Sequence, residues 1–381
     1  MDAVLVTILI IFINTFLVKV FVQKYNVLSE SYLWVLFVVH AILCTVYTLY
    51  AAATASDSVQ YYVVSSTTKD WFSLWGTSTT FIYFLAWPFT YLFNLGYLSA
   101  MIIFSYFGYL GILLFYFAAK ENVKLPAVWG KLTLVEIVFL LPNLHFWSSS
   151  LGKGSVILFG LSLFALGLSR FNRRYITLLL GGFLTFMVRP HILFTAILSI
   201  MLVLLITSSG IKNYLRWLIF IVAAVVFFYI SDDVAEFTEI ESFNVLNSDV
   251  LQHRASELGK STSGVNLQDY SLPMKMFTFW FRPLFIDGQG IMGILVSFEN
   301  LAYIFMFAIV IKRAFVAWGD WNGYYRICLV FFLFGSLALA QVTGNLGIAI
   351  RQKAQLMPFF FILFLKAASF STTIQNRLVM K

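Results

Sequence analysis

Apolar segments long enough to cross a lipid bilayer recur along almost the whole chain. Of the 381 residues, 61% are hydrophobic and only 11% are charged, whereas a soluble domain usually carries about 25% charged residues. A membrane-spanning helix needs roughly 20 consecutive apolar residues. The sequence therefore predicts an all-α polytopic membrane protein, with residues 1–381 forming a single integral-membrane domain. A soluble globular fold is excluded.

About 11 transmembrane helices are predicted from the lengths of these segments. They cover residues 2–21, 31–53, 97–118, 132–147, 155–168, 175–188, 192–207, 215–230, 290–311, 327–341 and 354–368. The segment 79–93 is interrupted by Pro88, and we expect it to be re-entrant or interfacial. Residues 231–275 are polar and rich in acids. We expect them to form a large extracytoplasmic loop that caps the bundle, with a short helix around residues 250–258.

Basic residues indicate the orientation of the chain, because short loops rich in Lys and Arg stay in the cytoplasm. Such clusters recur on one predicted side of the membrane: Lys19 and Lys24; Lys120, Lys124 and Lys131; Arg170, Arg173 and Arg174; Lys212 and Arg216; Lys312, Arg313 and Arg326; Arg377 and Lys381. The N-terminus is then outside and the C-terminus inside. Because topology explains much of the net charge of +8, a nucleic-acid partner is not expected.

Several cations lie on the opposite, outer side and need a different explanation. They are Lys153, Arg189, Arg282, Arg351 and Lys353. The arginines lie next to proline or glycine turns, which are tolerated at membrane depth where they line a polar cavity. Because guanidinium groups offer paired donors to phosphate oxygens, we expect Arg189, Arg282 and Arg351, with Lys153, to bind a diphosphate. Alternatively, each arginine reaches a lipid headgroup or pairs with an acid such as Glu299 or Asp287.

The predicted first outer loop combines a carboxylate with aromatic side chains, namely Asp57, Tyr61 and Trp75. A glycan acceptor site requires a base for a sugar hydroxyl and flat rings that pack on sugar faces. We therefore expect Asp57 to be a catalytic base, and Tyr61 and Trp75 to contact a glycan. Alternatively, Asp57 caps a helix or pairs with Lys69, and the aromatic residues mark an ordinary membrane interface.

The stretch 142–153 changes abruptly from apolar residues to serine, glycine and lysine. Such a stretch can present hydrogen-bond donors to an anion, although a helix cap and a tight turn would use the same residue types. Two of its side chains, His145 and Trp147, are candidate contacts for a glycan.

The remaining histidines are divided between the outer side and one span. His191, which follows an Arg-Pro pair, is a candidate catalytic base, and His253 and Arg254 in the polar loop are candidate glycan contacts. His40 lies inside a predicted span. There is no HExxH motif, no paired His and Cys spacing and no DxD motif, and both cysteines lie in apolar runs. Neither a metal nor a cofactor is therefore predicted.

Short motifs distributed from about residue 57 to residue 358 resemble those of a known family. They are Asp57 with Tyr61-Tyr62, Gly76-Thr77, His145-Phe146-Trp147-Ser148-Ser149 with Gly152-Lys153, Arg189-Pro190-His191, Phe281-Arg282-Pro283, and Asn345-Leu346-Gly347-Ile348 with Arg351-Gln352. The chain is similar to the Wzy- and EpsG-type polysaccharide polymerases of bacterial surface-polysaccharide clusters. Their wider class is the C-type, lipid-phosphosugar-dependent glycosyltransferases.

This resemblance implies an enzyme of the bacterial cytoplasmic membrane. It would take an oligosaccharide unit on a polyprenyl diphosphate at the outer leaflet and join it to another glycan, as polymerase, ligase or related transferase, during synthesis of O-antigen, capsule or exopolysaccharide. The motif 189–191 and the pair Arg351-Gln352 would bind the diphosphate, and Asp57 or His191 would activate the acceptor. Membrane lipid and other polysaccharide-assembly proteins are the further partners it implies.

Two other functions agree with the same sequence. A transporter or flippase of lipid-linked sugars would share a cavity lined by arginine but would need no base. A non-catalytic assembly subunit would use the outer loop to dock a partner. Substitution of Arg189 and Arg351 by alanine separates these functions, because only an enzyme loses glycan extension while substrate translocation stays normal.

Overall fold

The computed structural model describes residues 1–54, 56–130, 132–207, 270–287, 290–343 and 345–379, together with the single positions 214, 217 and 221. The fold divides into two compact units, Met1–Arg189 and Pro190–Lys381. Helices account for nearly all of the regular structure in the described ranges, and the single sheet found there is a two-stranded hairpin.

The first unit is built from helices of very different lengths. They are α1 (Asp2–Lys24), α2 (Glu30–Ala53), α3 (Asp57–Thr67), α4 (Thr79–Trp87), α5 (Tyr97–Asn122), α6 (Leu134–Val138), α7 (Pro142–Ser148), α8 (Lys153–Ser169) and α9 (Phe171–Val188). A 3₁₀ turn covers Phe72–Leu74, and a π-helical turn covers Pro88–Leu92. The strands β1 (Ala127–Trp129) and β2 (Leu132–Thr133) pair in antiparallel fashion just before α6.

In the described ranges, the helices of the second unit are longer on average. They are α10 (Pro190–Thr207), α11 (Leu272–Phe281), α12 (Gly290–Ala317), α13 (Gly323–Val342) and α14 (Leu346–Val379), with a 3₁₀ turn at Trp318–Asp320. Leu272 begins α11, so the end of the predicted loop 231–275 is helical, which corrects that boundary. Pro273 favours a helix start here, because the first turn of a helix does not use its missing N–H. Residues 231–269, including the helix predicted around 250–258, lie outside the described ranges.

Within the described ranges, seven helices are long and apolar enough to cross a membrane: α1, α2, α5, α10, α12, α13 and α14. An eighth span results if α7 and α8, which meet at an angle of 114°, are counted together. The all-α polytopic class is confirmed, but the predicted count of about 11 is not. The predicted span 215–230 falls outside the described ranges, apart from the single positions 217 and 221.

The predicted span 132–147 is wrong, because this stretch is not one helix. It contains β2, then the five residues of α6, and then the seven residues of α7. Thr133 starts α6 with a capping box, in which its side chain and that of Glu136 satisfy each other's backbone N–H groups. Pro142 begins α7 and holds Leu141 in an extended conformation, since the residue before a proline disfavours the helical region.

The segment 79–93 is more helical than its proline suggested. α4 continues into the π-helical turn at Pro88–Leu92, and Pro88 itself has helical dihedral angles. A wider turn tolerates the missing N–H of proline, so the axis is not broken at this point. The re-entrant or interfacial position of the segment stays a prediction.

Glycines let α5, α8 and α9 pack backbone to backbone. A Cβ atom on Gly111 of α5 would lie 3.0 Å from the backbone carbonyl carbon of Leu158 in α8, and one on Gly181 of α9 would lie 2.2 Å from the backbone nitrogen of Phe164 in α8. At the end of α7, a Cβ atom on Gly108 of α5 would lie 1.9 Å from the carbonyl oxygen of Ser148. Close approach through small residues is a common way to pack helices in membranes, where burial of apolar area between helices gives little driving force. This three-helix contact fixes the α7–α8 junction, on which the site described below depends.

Candidate functional site

The turn before α4 has a conformation that only tertiary contacts explain. Ser78 has φ 61° and ψ −116°, a region that residues other than glycine rarely occupy. Its backbone N–H donates to the carbonyl oxygen of Met187 at 2.7 Å, and its hydroxyl accepts from the Lys153 ammonium at 2.8 Å. The end of α9 and the start of α8 thus hold this turn in place.

Two of the predicted diphosphate ligands therefore belong to elements that meet at Ser78. Lys153 is the first residue of α8 and is partly buried. Arg189 follows Met187 by two positions and ends α9, where its N–H donates to the Thr185 carbonyl at 2.8 Å. Arg189 is 9% exposed and Lys153 is partly buried. Neither side chain extends fully into the surroundings of the protein.

Aromatic side chains lie beside the same turn. The ring of Tyr61 contacts Gly152, where an added Cβ would come within 3.2 Å of Cε2. Tyr61 also packs against Tyr83, with ring centroids 5.7 Å apart. Trp75 is exposed and packs edge-on against Phe81. Both residues precede the Ser78 turn in sequence and lie in the same unit. Trp75 is 53% exposed, but Tyr61 is only 4% exposed, so a direct contact of Tyr61 with a glycan does not fit the structure.

Asp57 lies within electrostatic range of this group. It is exposed in the first turn of α3, and burial, together with the negative charge of Asp57, raises the pKa of Tyr83. The alternative that Asp57 caps α3 is wrong, because the N-cap is Ser56, whose hydroxyl accepts from the N–H of Ser58. A carboxylate at this position is still favourable, since the N-terminal end of a helix attracts negative charge.

We call this group of side chains the Ser78 cluster: Asp57, Tyr61, Ser78, Tyr83, Lys153 and Arg189. It combines cations for an anion, an exposed carboxylate that can accept a proton, and two buried tyrosine rings that pack beneath them. Sequence analysis named four of its members and missed Ser78 and Tyr83. A signal for Ser78 was present in the Gly76-Thr77-Ser78 turn directly before an apolar segment, but its unusual backbone conformation depends on contacts distant in sequence.

His145 has a different environment from the one predicted. It is fully buried, and its ring lies against that of His40, with 3.1 Å between the two Nδ1 atoms. This position does not fit the predicted contact with a glycan, because no part of the side chain reaches the surface. Trp147 is partly buried and packs against Phe146 and Tyr47.

In the second unit, Arg282 is neutralised within its own turn. Its guanidinium makes two hydrogen bonds to the Asp287 carboxylate, at 2.8 and 2.6 Å, and a third to the Tyr270 hydroxyl at 3.3 Å. Hydrogen bonding from Arg282 lowers the pKa of Asp287 in spite of partial burial. The predicted alternative of an ion pair with Asp287 is therefore confirmed for this arginine.

A second polar cluster, which sequence analysis missed, is centred on Lys353. This side chain is 1% exposed, and its ammonium donates to the carbonyl of Trp280 at 3.0 Å and to Oδ1 of Asn300 at 2.6 Å. Asn300 in turn donates to the carbonyl of Pro283 at 2.8 Å. The neighbouring Glu299 accepts a hydrogen bond from the Tyr303 hydroxyl. Adjacent Glu and Asn in the apolar run 290–311 were the available signal.

The other predicted site residues are distributed between the units or lie outside the described ranges. Arg351 is a partly buried residue of α14, and His191 is the second residue of α10. Arg189 belongs to the first unit, and Arg282 and Arg351 belong to the second, so a joint diphosphate clamp stays a prediction. His253 and Arg254 are outside the described residues. In the part of the chain that the structure describes, no group of three His, Cys, Asp or Glu side chains could hold a metal ion.

The fold and these clusters define a helical membrane protein with a cationic and aromatic group of side chains at its helix ends. Comparisons with protein-family models, with curated proteins and with solved structures gave no match. The functional conclusion therefore depends on the chemistry of the residues themselves.

Proposed function

We propose that the protein transfers or polymerises polyprenyl-diphosphate-linked oligosaccharide units at the outer leaflet of the bacterial cytoplasmic membrane, during synthesis of a surface polysaccharide such as O-antigen, capsule or exopolysaccharide. In this proposal the N-terminus is outside and the C-terminus inside. The observation that supports it most is the Ser78 cluster, in which Lys153 and the helix end carrying Arg189 meet one turn beside Asp57 and two tyrosine rings.

The reaction needs little covalent chemistry from the protein. A hydroxyl of the acceptor glycan attacks the anomeric carbon of the donor, the bond from that carbon to the diphosphate oxygen breaks, and the diphosphate leaves with the electron pair. Negative charge accumulates on the leaving oxygen during this step, so fixed cations that bind the diphosphate stabilise the transition state more than the ground state. Lys153 and Arg189 are assigned this task.

The acceptor hydroxyl must lose its proton as the new bond forms. Asp57 is assigned as the general base, because it is exposed and its charge is felt at Tyr83. Trp75 is exposed and would pack its ring against a sugar face. His191 stays an alternative base, since it follows Arg189-Pro190 in the chain.

The test is a set of single substitutions in cells whose surface polysaccharide depends on this protein. Lys153→Met and Arg189→Ala should each reduce polymer by about 30-fold, which corresponds to about 2 kcal/mol of lost charge-assisted hydrogen bonding. Lipid-linked repeat units should accumulate at the outer leaflet, as measured by mass spectrometry after labelling from outside. Lys69→Met is the matched control, because Lys69 is an exposed lysine of the same unit.

Two outcomes would contradict the proposal. Polymer at wild-type level in Lys153→Met and Arg189→Ala would remove both residues from the site. Accumulation of repeat units at the cytoplasmic leaflet instead of the outer one would indicate the transporter or flippase, because the defect would then precede transfer. Normal folding of each variant, checked by its elution profile in detergent, is required in either case.

A further inference from the structure

A buried pair of histidines joins α2 to α7. The two Nδ1 atoms of His40 and His145 lie 3.1 Å apart. The other ring nitrogen of each residue faces a backbone carbonyl: Nε2 of His40 is 2.9 Å from the oxygen of Ser105, and Nε2 of His145 is 2.8 Å from the oxygen of Phe139. All three distances are those of hydrogen bonds between nitrogen and its partner.

The number of protons decides the charge of this pair. A carbonyl oxygen only accepts, so each Nε2 must carry a proton, and a neutral imidazole has a single N–H. Two neutral rings would then direct two Nδ1 lone pairs at each other. Moving one proton to Nδ1 would instead place an Nε2 lone pair against a carbonyl oxygen. Three hydrogen bonds between these groups therefore need three protons on two rings.

We propose that His40 and His145 form a proton-binding site, in which one proton is shared between the two Nδ1 atoms and the pair carries a single positive charge. The proton comes from hydronium in the solvent: one O–H bond of hydronium breaks as the N–H bond forms, and a water molecule is left. The site is separate from the proposed glycan transfer and does not depend on it, because it consists of the two rings and their two carbonyl partners.

Burial opposes a charge here, and three features of the site compensate for it. Both Nε2–H groups donate to carbonyl oxygens, and these hydrogen bonds become stronger as the rings become positive. Phe139 follows the last residue of α6, so its carbonyl is one that the helix leaves without an intrahelical donor. The charge is also distributed over two rings, which makes the desolvation cost smaller than for a localised ammonium.

The neighbours of the pair are mostly neutral. Cys44 of α2, and Tyr106 and Tyr109 of α5, line the same cavity as His40, and the ring of Tyr109 lies 6.3 Å from that of His40. α7 has no other ionisable side chain, and α1 contributes Thr7, Ile10 and Ile11 to the adjoining cavity.

α6 has one carboxylate, that of Glu136, and its oxygens already have hydrogen-bond partners. Its carboxylate bonds to Lys120 at 2.7 Å and accepts from Tyr116 and Thr133. A proton can still reach the pair, because a cavity of about 240 Å³ borders His40 between α1, α2 and α5 and has room for several water molecules.

The location of the pair gives the bound proton a structural consequence. His145 lies in α7, and the α7–α8 junction leads to Lys153 within eight residues. Loss of the shared proton would remove the link between α2 and α7 and replace it by repulsion between two lone pairs. We therefore expect the protonation of this pair to hold the junction in place.

The direct test counts the protons by nuclear magnetic resonance on the full-length protein labelled with ¹⁵N-histidine, in lipid nanodiscs near neutral pH. Signals of the pair are assigned by their loss in His40→Asn and His145→Asn. A coupling between two Nδ1 nuclei and three N–H protons on the pair support the proposal. Two N–H protons, with no coupling across the Nδ1 atoms, would overturn it.

A second test uses stability and needs no assignment. Histidines in an unfolded chain titrate with a pKa of about 6.5, so the unfolded state binds two protons at low pH and none at high pH, whereas the folded pair binds one. Stability of the wild type should rise with pH up to about 6.5 and fall above it, because the folded state then holds more protons than the unfolded state.

His40→Asn is the matched variant, because its amide can donate to a neutral His145 and the shared proton is no longer needed. Its melting temperature should rise with pH and then stay level, without the fall above about pH 6.5. If wild type and variant show the same curve above that pH, the pair is neutral and the proposal is wrong.

Discussion

The cations that were predicted to lie on the outer side have different environments in the two units. In the second unit, Lys353 is almost fully buried and donates to groups on two other elements, and Arg282 forms an ion pair with Asp287. In the first unit, Lys153 is partly buried at a helix start and contacts the hydroxyl of Ser78. The same residue types thus serve packing in one unit and, in our account, substrate binding in the other.

This difference shows that a predicted position on the outer side does not by itself indicate a role in binding. Arg282 and Lys153 were both predicted to bind a diphosphate on equal grounds. Only the structure shows that Arg282 forms an ion pair with a carboxylate five residues away. Substitutions that affect activity and stability separately can therefore test whether the two environments differ in function.

The largest effect is expected from Asp57→Asn in the first unit. An amide cannot accept the proton of an acceptor hydroxyl, so transfer should slow by about 100-fold or more, in line with the usual contribution of a general base. Stability should change little, because Asp57 is exposed and Ser56 provides the helix cap. The rate is measured with purified protein and a lipid-linked donor. A rate within twofold of the wild type would exclude Asp57 as the base.

The next effect is expected in the second unit, on stability. Lys353→Met leaves the Trp280 carbonyl and Oδ1 of Asn300 buried without this donor, and leaving buried acceptors unpaired should destabilise the fold by about 2 kcal/mol. Thermal unfolding in detergent measures this change. Activity per folded molecule should stay normal. A specific loss of activity in a stable variant would assign Lys353 to the site and remove the contrast between the units.

The smallest effect concerns the ion pair of the second unit and its pH dependence. Because Arg282 lowers the pKa of Asp287, the pair stabilises the fold above the ordinary aspartate pKa, and this stabilisation is lost as pH falls through the lowered value. Asp287→Asn should cost about 1 kcal/mol at neutral pH, and its stability should depend less on pH below about 4. Parallel pH curves for wild type and variant would show that the ion pair contributes nothing.

The helical membrane class could be predicted because the lengths of the apolar segments are sufficient to indicate membrane-spanning helices. It failed at 132–147, where composition agrees with a span but the capping box at Thr133 and the proline at position 142 produce two short helices. Hydropathy averages over such local signals. Both were present in the sequence, and weighing them above the average would have corrected the prediction.

The candidate site was predicted only in part, for a different reason. Asp57, Tyr61, Lys153 and Arg189 were recognised because each residue type suggests its own chemistry. His40 and His145 are 105 positions apart, and the backbone of Ser78 depends on Met187, so neither arrangement has a local pattern. Lys353 was noted as an outer cation, but its burial follows from the packing of α11, α12 and α14 around it.

The most direct test of the Ser78 cluster is the affinity of the purified protein for polyprenyl diphosphate. Equilibrium binding in nanodiscs should be about 30-fold weaker for Lys153→Met than for wild type, which corresponds to about 2 kcal/mol. Lys69→Met should bind as the wild type does. Equal affinity of all three proteins would contradict the account, because the diphosphate would then be bound elsewhere or not at all.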